Sequence, residues 1–184
     1  MPRLFTALEV PESVATRLAM MQGGLSGARW ITPENYHLTL RFFGDVDGST
    51  AYAIADALAT IRHPGLEIAF DRLDSFGGRQ PRALVVRARP NRSLLALQDA
   101  NERAARIAGM PAETRKFAPH VTLARLRGVA PTAVAGYLGQ RGLLFVEPFT
   151  VSRFVLYSAR DRVGGGPYVV ERAYDLATQT VSAA

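Results

Sequence analysis

The four-letter frame His-x-Thr-Leu occurs twice in this chain, at 37–40 within "ENYHLTLRFFGD" and at 120–123 within "FAPHVTLARLRG". It takes two of only three histidines. With random placement at this composition the coincidence is on the order of one in ten thousand. The surroundings repeat too. Apolar, alternating segments at Leu66 and Phe149 each begin 29 residues after their histidine, and Ser75 and Ser158 each lie 38 residues after theirs. Outside the motifs the halves share little sequence, so what repeats is architecture: strand, helix, motif strand, helix, strand. This predicts an α+β fold with two pseudo-symmetric lobes, each an antiparallel or mixed sheet with helices outside. The lobes flank a central cleft with one His-x-Thr strand per lobe. The whole chain, 1–184, reads as a single bilobal domain with architectural repeats at 3–77 and 82–160 and a last strand at 168–176.

Local signals place the elements. "RLFTALEV" (3–10) alternates as a strand, and Pro11 opens a helix through about Leu25 with Glu12 in its first turn. Strand 37–44 follows, then a helix over 49–62 with Ile54, Leu58 and Ile61 at helical spacing. Strands at 66–77 and 82–89 are joined by a turn at Gly77 and Gly78. Asn91 caps a helix running to about Ala108. Then come strand 120–126, a short helix over 131–140, strand 149–160, a turn at "GGGP" (164–167), the last strand and a frayed tail.

On a strand, residues two apart share a face. His37 and Thr39 therefore point one way and Leu38 and Leu40 the other; His120 and Thr122 are set against Val121 and Leu123 in the same manner. Two such strands on one cleft give two imidazoles and two hydroxyls around one space. An imidazole titrates near neutrality, so one ring can be a base while the other is an acid. The pH dependence of kcat/KM is then expected to be bell-shaped around neutrality. The hydroxyls can donate to non-bridging phosphate oxygens. Arg125, five residues after His120, could stabilise charge there, although its odd offset nominally turns it to the opposite face.

Composition removes competing chemistries. There are no cysteines, so disulfides, thiolate metal sites and cysteine nucleophiles are excluded, and a cytoplasmic location fits. The third histidine, His63, sits in "HPG", and two histidines without a carboxylate pair make a poor zinc site. No Gly-x-x-x-x-Gly-Lys-Ser/Thr loop is present, no apolar run approaches a membrane span, and the N-terminus lacks the pattern of a signal peptide. The net charge of +6 comes almost wholly from arginine, since Lys116 is the only lysine. A basic, arginine-rich surface fits an anionic partner such as nucleic acid.

The paired motifs resemble those of the 2H phosphoesterases, in detail the RNA 2′,3′-cyclic phosphodiesterase branch historically called 2′-5′ RNA ligases. The similarity rests on "RLFTALEVPESV", "WITPENYHLTLRFFGDV", "RKFAPHVTLARL" and "FTVSRFVLYSAR", and spans essentially the whole chain. The resemblance implies hydrolysis of a terminal 2′,3′-cyclic phosphate on RNA, tRNA fragments included, to a 2′-phosphate. It implies a monomer with no metal and no other cofactor. Carried over by motif position, His37 is the proton donor and His120 the proton acceptor. Thr39 and Thr122 hold the phosphate, Arg125 contacts it, and Phe42 is an aromatic near the substrate. Other activities of the same superfamily remain open: a cyclic phosphodiesterase on small nucleotides, or a 2′-5′ RNA phosphodiesterase or ligase. A non-catalytic RNA-binding module would show a steep salt dependence and no need for the histidines.

Overall fold

The computed structural model describes residues 2–141, 146–159 and 166–177. In chain order the elements are β1 (Arg3–Glu9), α1 (Glu12–Ala19), β2 (Ala28–Trp30), a 3-10 turn (Pro33–Asn35), β3 (His37–Asp45), α2 (Gly48–Ala59), β4 (Leu66–Ile68) and β5 (Phe70–Phe76). They continue with β6 (Ala83–Ala88), α3 (Arg92–Ile107), β7 (His120–Leu126), α4 (Pro131–Arg141), β8 (Phe149–Val151), β9 (Arg153–Ala159) and β10 (Tyr168–Asp175). The fold is α+β. Its main sheet runs β10-β9-β1-β3-β7-β6-β5, with β2 added to β7, and every pairing is antiparallel.

The two lobes meet at β3 and β7, which share a single registered pair, Leu38 with Val121. Each lobe draws strands from both halves of the sequence. One contains β1 and β3 with β9 and β10; the other contains β5 and β6 with β7 and β2. The helices lie against one face of the sheet. Val14 and Leu18 of α1, Ile54 and Leu58 of α2, Leu94 and Leu97 of α3 and Val134 of α4 are all buried there against Leu38, Leu40, Val121 and Leu123. The opposite face carries the functional side of the motif strands.

Several sequence expectations needed adjustment. The first helix stops at Ala19 rather than near Leu25, and the chain turns through Gly23 and Gly24, both at positive φ; Leu25 still reaches the core from the loop. The predicted strands 66–77 and 149–160 each break once, at Ala69 and at Ser152. Their first three residues, β4 and β8, pair with one another in a separate small sheet, while β5 and β9 join the main sheet. The three-residue β2 gave no alternation to detect. Asn91 caps α3 as expected, its side chain accepting from the Leu94 amide at 2.8 Å. Gly77 closes the β5–β6 turn at φ +121, where an added Cβ would run into the Gln80 carbonyl oxygen. The expected turn at 164–167 and the frayed tail fall largely outside the described residues. Among the described residues no helix is long and apolar enough to cross a membrane.

Each motif strand carries a β-bulge at the same place. Across β1, Thr39 pairs with Ala7 but Arg41 with Thr6, leaving Leu40 as the extra residue. Across β6, Thr122 pairs with Val85 but Ala124 with Leu84, leaving Leu123 extra. In β3 the bulge is braced by Arg41, whose side chain is 6% exposed. Its guanidinium donates to the carbonyls of Phe42 and Pro111, both at 2.6 Å, and its Nε lies 2.6 Å from Glu102 of α3 as an ion pair. Removing one partner of so buried a pair leaves polar groups stranded. Arg41→Ala is therefore expected to lower the unfolding free energy by about 2–4 kcal/mol in urea titration. A loss within experimental error would show that the bulge does not need this brace.

Candidate active site

The bulges decide which side chains reach the cleft. Without an extra residue, an offset of five along a strand changes face. With Leu40 and Leu123 absorbed into bulges, Phe42 returns to the face of His37 and Thr39, and Arg125 returns to the face of His120 and Thr122. The burial pattern agrees: Leu40 and Arg41 are buried together, as are Leu123 and Ala124, and Phe42 and Arg125 are exposed. Phe43 takes the core position beside Phe42. The odd offset of Arg125 is thus resolved in favour of the cleft.

The Leu38–Val121 pair sets the motif register. With Leu38, Leu40, Val121 and Leu123 in the core, His37, Thr39, His120 and Thr122 lie on the face away from it. The two imidazoles are near enough for His120 to act electrostatically on His37.

Both rings are held the same way. His37 Nδ1 donates to the Asn35 carbonyl at 2.8 Å, and His120 Nδ1 donates to the Ala118 carbonyl at 2.7 Å. A carbonyl only accepts, so Nδ1 carries the hydrogen in each neutral ring and Nε2 keeps its lone pair.

Their surroundings differ. His37 stands in an aromatic box, with ring centroids 4.9 Å from Phe5, 5.9 Å from Tyr157 and 5.0 Å from Tyr168. Loss of solvent there, reinforced by His120 and Arg125, lowers its pKa from 6.5 to about 4, against the opposing hydrogen bond to Asn35. The segment leading into Tyr168 passes close by: an added Cβ at Gly166, whose φ is +93, would run into the Asn35 side chain. His120 touches Phe76 edge-on at 4.7 Å. Its pKa is also lowered, first by burial and then by the Arg87 and Arg125 guanidiniums, against the hydrogen bond to Ala118.

The cleft has a volume of about 1100 Å³. Among the described residues, His37, Thr39, Phe42 and Arg125 line it, and so do Arg3, Arg29, Arg82 and Arg127, with no carboxylate; His120 and Thr122 are not among the lining residues. Phe5 of β1 and Tyr168 of β10 also line it. Sequence reading named the motif residues but not the aromatic box or the further arginines. The box assembles from β1, β9 and β10, which share no local pattern. Among the described residues no three His, Cys, Asp or Glu side chains converge as a metal site.

The model of the LigT-like phosphoesterases matches this chain twice, over residues 8–87 and 84–168. The chain belongs to the LigT-like phosphoesterase family. Among LigT-like relatives, the RNA 2′,3′-cyclic phosphodiesterase of Bacillus subtilis (strain 168) is 32% identical over 130 residues, covering 67% of this chain and 71% of that protein. The protein of the same name from Escherichia coli (strain K12) is 29% identical over 163 residues, covering 85% and 86%. The crystal structure of E. coli LigT in apo form superposes with a TM-score of 0.76 at 26% identity, covering 95% of this chain and 98% of that one.

The aromatic box makes a prediction about pH. The unfolded His37 takes up its proton near pH 6.5 and the folded one only near 4, so between these values the unfolded chain binds more protons. Stability from this group is complete above pH 6.5 and is lost as pH falls toward 4, by on the order of 2–3 kcal/mol. In an NMR titration of the ring protons, His37 is expected to titrate near pH 4 and His120 below 6.5. Tyr168→Ala is expected to move His37 up toward 6.5. An unshifted His37 in the intact protein would refute the box as the cause.

Proposed function

We propose that this protein hydrolyses the terminal 2′,3′-cyclic phosphate of RNA to a 2′-phosphate, by two-histidine acid–base catalysis without a metal or other cofactor. The observation that carries the reading is the pair of matched imidazoles, each with Nδ1 tied to a backbone carbonyl and Nε2 left for chemistry. The relatives named RNA 2′,3′-cyclic phosphodiesterase supply the substrate class.

Displacement at phosphorus places the attacking and leaving oxygens on opposite sides, and two histidines on neighbouring strands can serve one oxygen each. His120 Nε2 takes a proton from water as the water oxygen bonds to phosphorus. The bond from phosphorus to the 3′-oxygen breaks, and His37, protonated at Nε2, gives its proton to that oxygen. The phosphate stays on the 2′-oxygen. Thr39 and Thr122 donate to the non-bridging oxygens, and Arg125 offsets the charge that develops on them. Phe42 lies where the terminal nucleoside would rest. Arg87 and Arg125 favour neutral His120, as a base requires. His37 in its box is a strong acid once protonated, and the bound phosphate's negative charge raises its proton affinity. On this reading the protein acts as a cytoplasmic monomer on RNA ends, cleaved tRNA among them.

The lowered pKa values move the expected bell. In the free protein the working state pairs a protonated His37 with a neutral His120, so kcat/KM is expected to peak below pH 6.5 rather than at neutrality. The kcat profile, which reports the complex, is expected to lie at higher pH. A kcat/KM that only rises to pH 10 would sink the mechanism.

The direct test is an RNA oligonucleotide ending in a 2′,3′-cyclic phosphate, incubated in excess EDTA without ATP. A 2′-phosphate product is expected. His37→Ala and His120→Ala are each expected to lower kcat by roughly a hundred- to ten-thousand-fold. A 3′-phosphate product would exchange the donor and acceptor roles, and an untouched cyclic end would refute the substrate assignment.

A further inference from the structure

One phosphate at the histidines needs Arg125, yet the same wall of the cleft holds three more guanidiniums. Arg29 of β2 sits opposite Arg125 of β7, and Arg125 sits opposite Ala83 of β6. Arg82 immediately precedes Ala83, and its carbonyl accepts from the Leu126 amide at 2.8 Å, fixing it to the same end of β7. Arg127 follows two residues after Arg125. These cations therefore span β2, β7 and the start of β6, about 10 Å across at the usual strand spacing. All are exposed and all line the cleft, and among the described residues no carboxylate lines it with them. From the other lobe, the exposed ring of Phe42 and the half-buried ring of Tyr168 also line it. A cationic groove lined also with aromatic rings is equipment for a single-stranded nucleic acid, whose backbone follows the charge and whose bases stack. The volume of about 1100 Å³ also exceeds what one small ligand needs.

We propose that Arg82 and Arg127, with Arg29, form a track for the phosphodiesters upstream of the reacting terminus, so that the protein selects oligonucleotide ends over cyclic mononucleotides. The proposal rests on the function proposed above for its reacting end and adds to it a second, non-reacting region of contact. The RNA leaves the histidines across β7 toward the Arg82–Arg127 rim, with its polyanionic backbone against the arginines.

The test compares a 2′,3′-cyclic mononucleotide with a tetranucleotide carrying the same cyclic end, for the intact protein and for the Arg82→Gln/Arg127→Gln double variant, with thermal melts to confirm folding. For the intact protein at low salt, kcat/KM is expected to favour the tetranucleotide by about tenfold or more, and the advantage should shrink as salt rises. In the variant the ratio is expected to fall to within about threefold, because two phosphate contacts are gone. An unchanged ratio in the variant, or no length preference in the intact protein, would overturn the track.

A second measurement is independent of turnover. Fluorescence anisotropy with a 5′-labelled eight-nucleotide single-stranded RNA is expected to show the log–log salt slope reduced by about 1.4 in the variant, at roughly 0.7 for each lost contact. Failure to open any cyclic end would refute the proposed reaction but leave this readout standing. An unchanged salt slope would refute the track whatever the catalytic result.

Discussion

An extra residue in each motif strand, Leu40 in β3 and Leu123 in β7, is the constraint on which the site depends. A regular strand shows every second residue to one face, so a histidine, a threonine and a group five residues on cannot all share that face. The alternative would send the Arg125 guanidinium into a helix-covered core, where an unpaired charge is prohibitively costly. The bulge turns it out at the price of one unpaired position in the ladder, and it increases the local twist. The two motif strands keep only the Leu38–Val121 pair in common.

The matched halves are made unequal by what stands beside each histidine. Glu9 pairs across from His37 and Arg87 across from His120; Phe5 pairs across from Phe42 and Ala83 across from Arg125. Glu9 is held by Arg153 at 2.6 Å, so the neighbours that matter most to His37 are the rings of Phe5, Tyr157 and Tyr168. Arg125 acts on both rings, and His120 has the Arg87 guanidinium close by in addition. One imidazole is kept neutral mainly by apolar surroundings, the other by burial and nearby positive charge. Pseudo-symmetry places two copies of one His-x-Thr unit, and different residues at equivalent pairing positions give them different protonation behaviour.

Much of this was legible in the sequence. The repeated frame, its equal spacing to later strands and the alternation of apolar residues located both motif strands, and the Asn91 cap fixed the start of α3. The break at Ala69 was not legible, because Leu66, Ile68 and Phe70 keep their alternation across it; at Ser152 two consecutive polar residues, Ser152 and Arg153, separate the buried Val151 and Phe154 and leave a slip in phase. The bulges left a fainter trace: Arg41, a charged residue inside an apolar run, and Arg125 at an offset of the wrong parity both contradict a regular strand. The box around His37 left none, since Phe5 and Tyr168 lie at opposite ends of the chain and meet only when β1 and β10 flank β9.

The exchange of strands between the halves bears on how the chain acquires its structure during synthesis. The lobe carrying His120 draws its β5, β6 and β7 from one continuous stretch, 70–126, and can pair them as they emerge. The lobe carrying His37 begins first but holds only β1 and β3 until β9 and β10 arrive more than a hundred residues later. Its closure is a long-range event with a correspondingly slow search. The hydrophobic strand β1 must wait with one edge unpaired while the rest is made, and the ring that desolvates His37 from β10 is among the last to arrive. Catalytic competence is in this sense a property of the completed chain: neither half of the duplicated architecture contains a whole lobe.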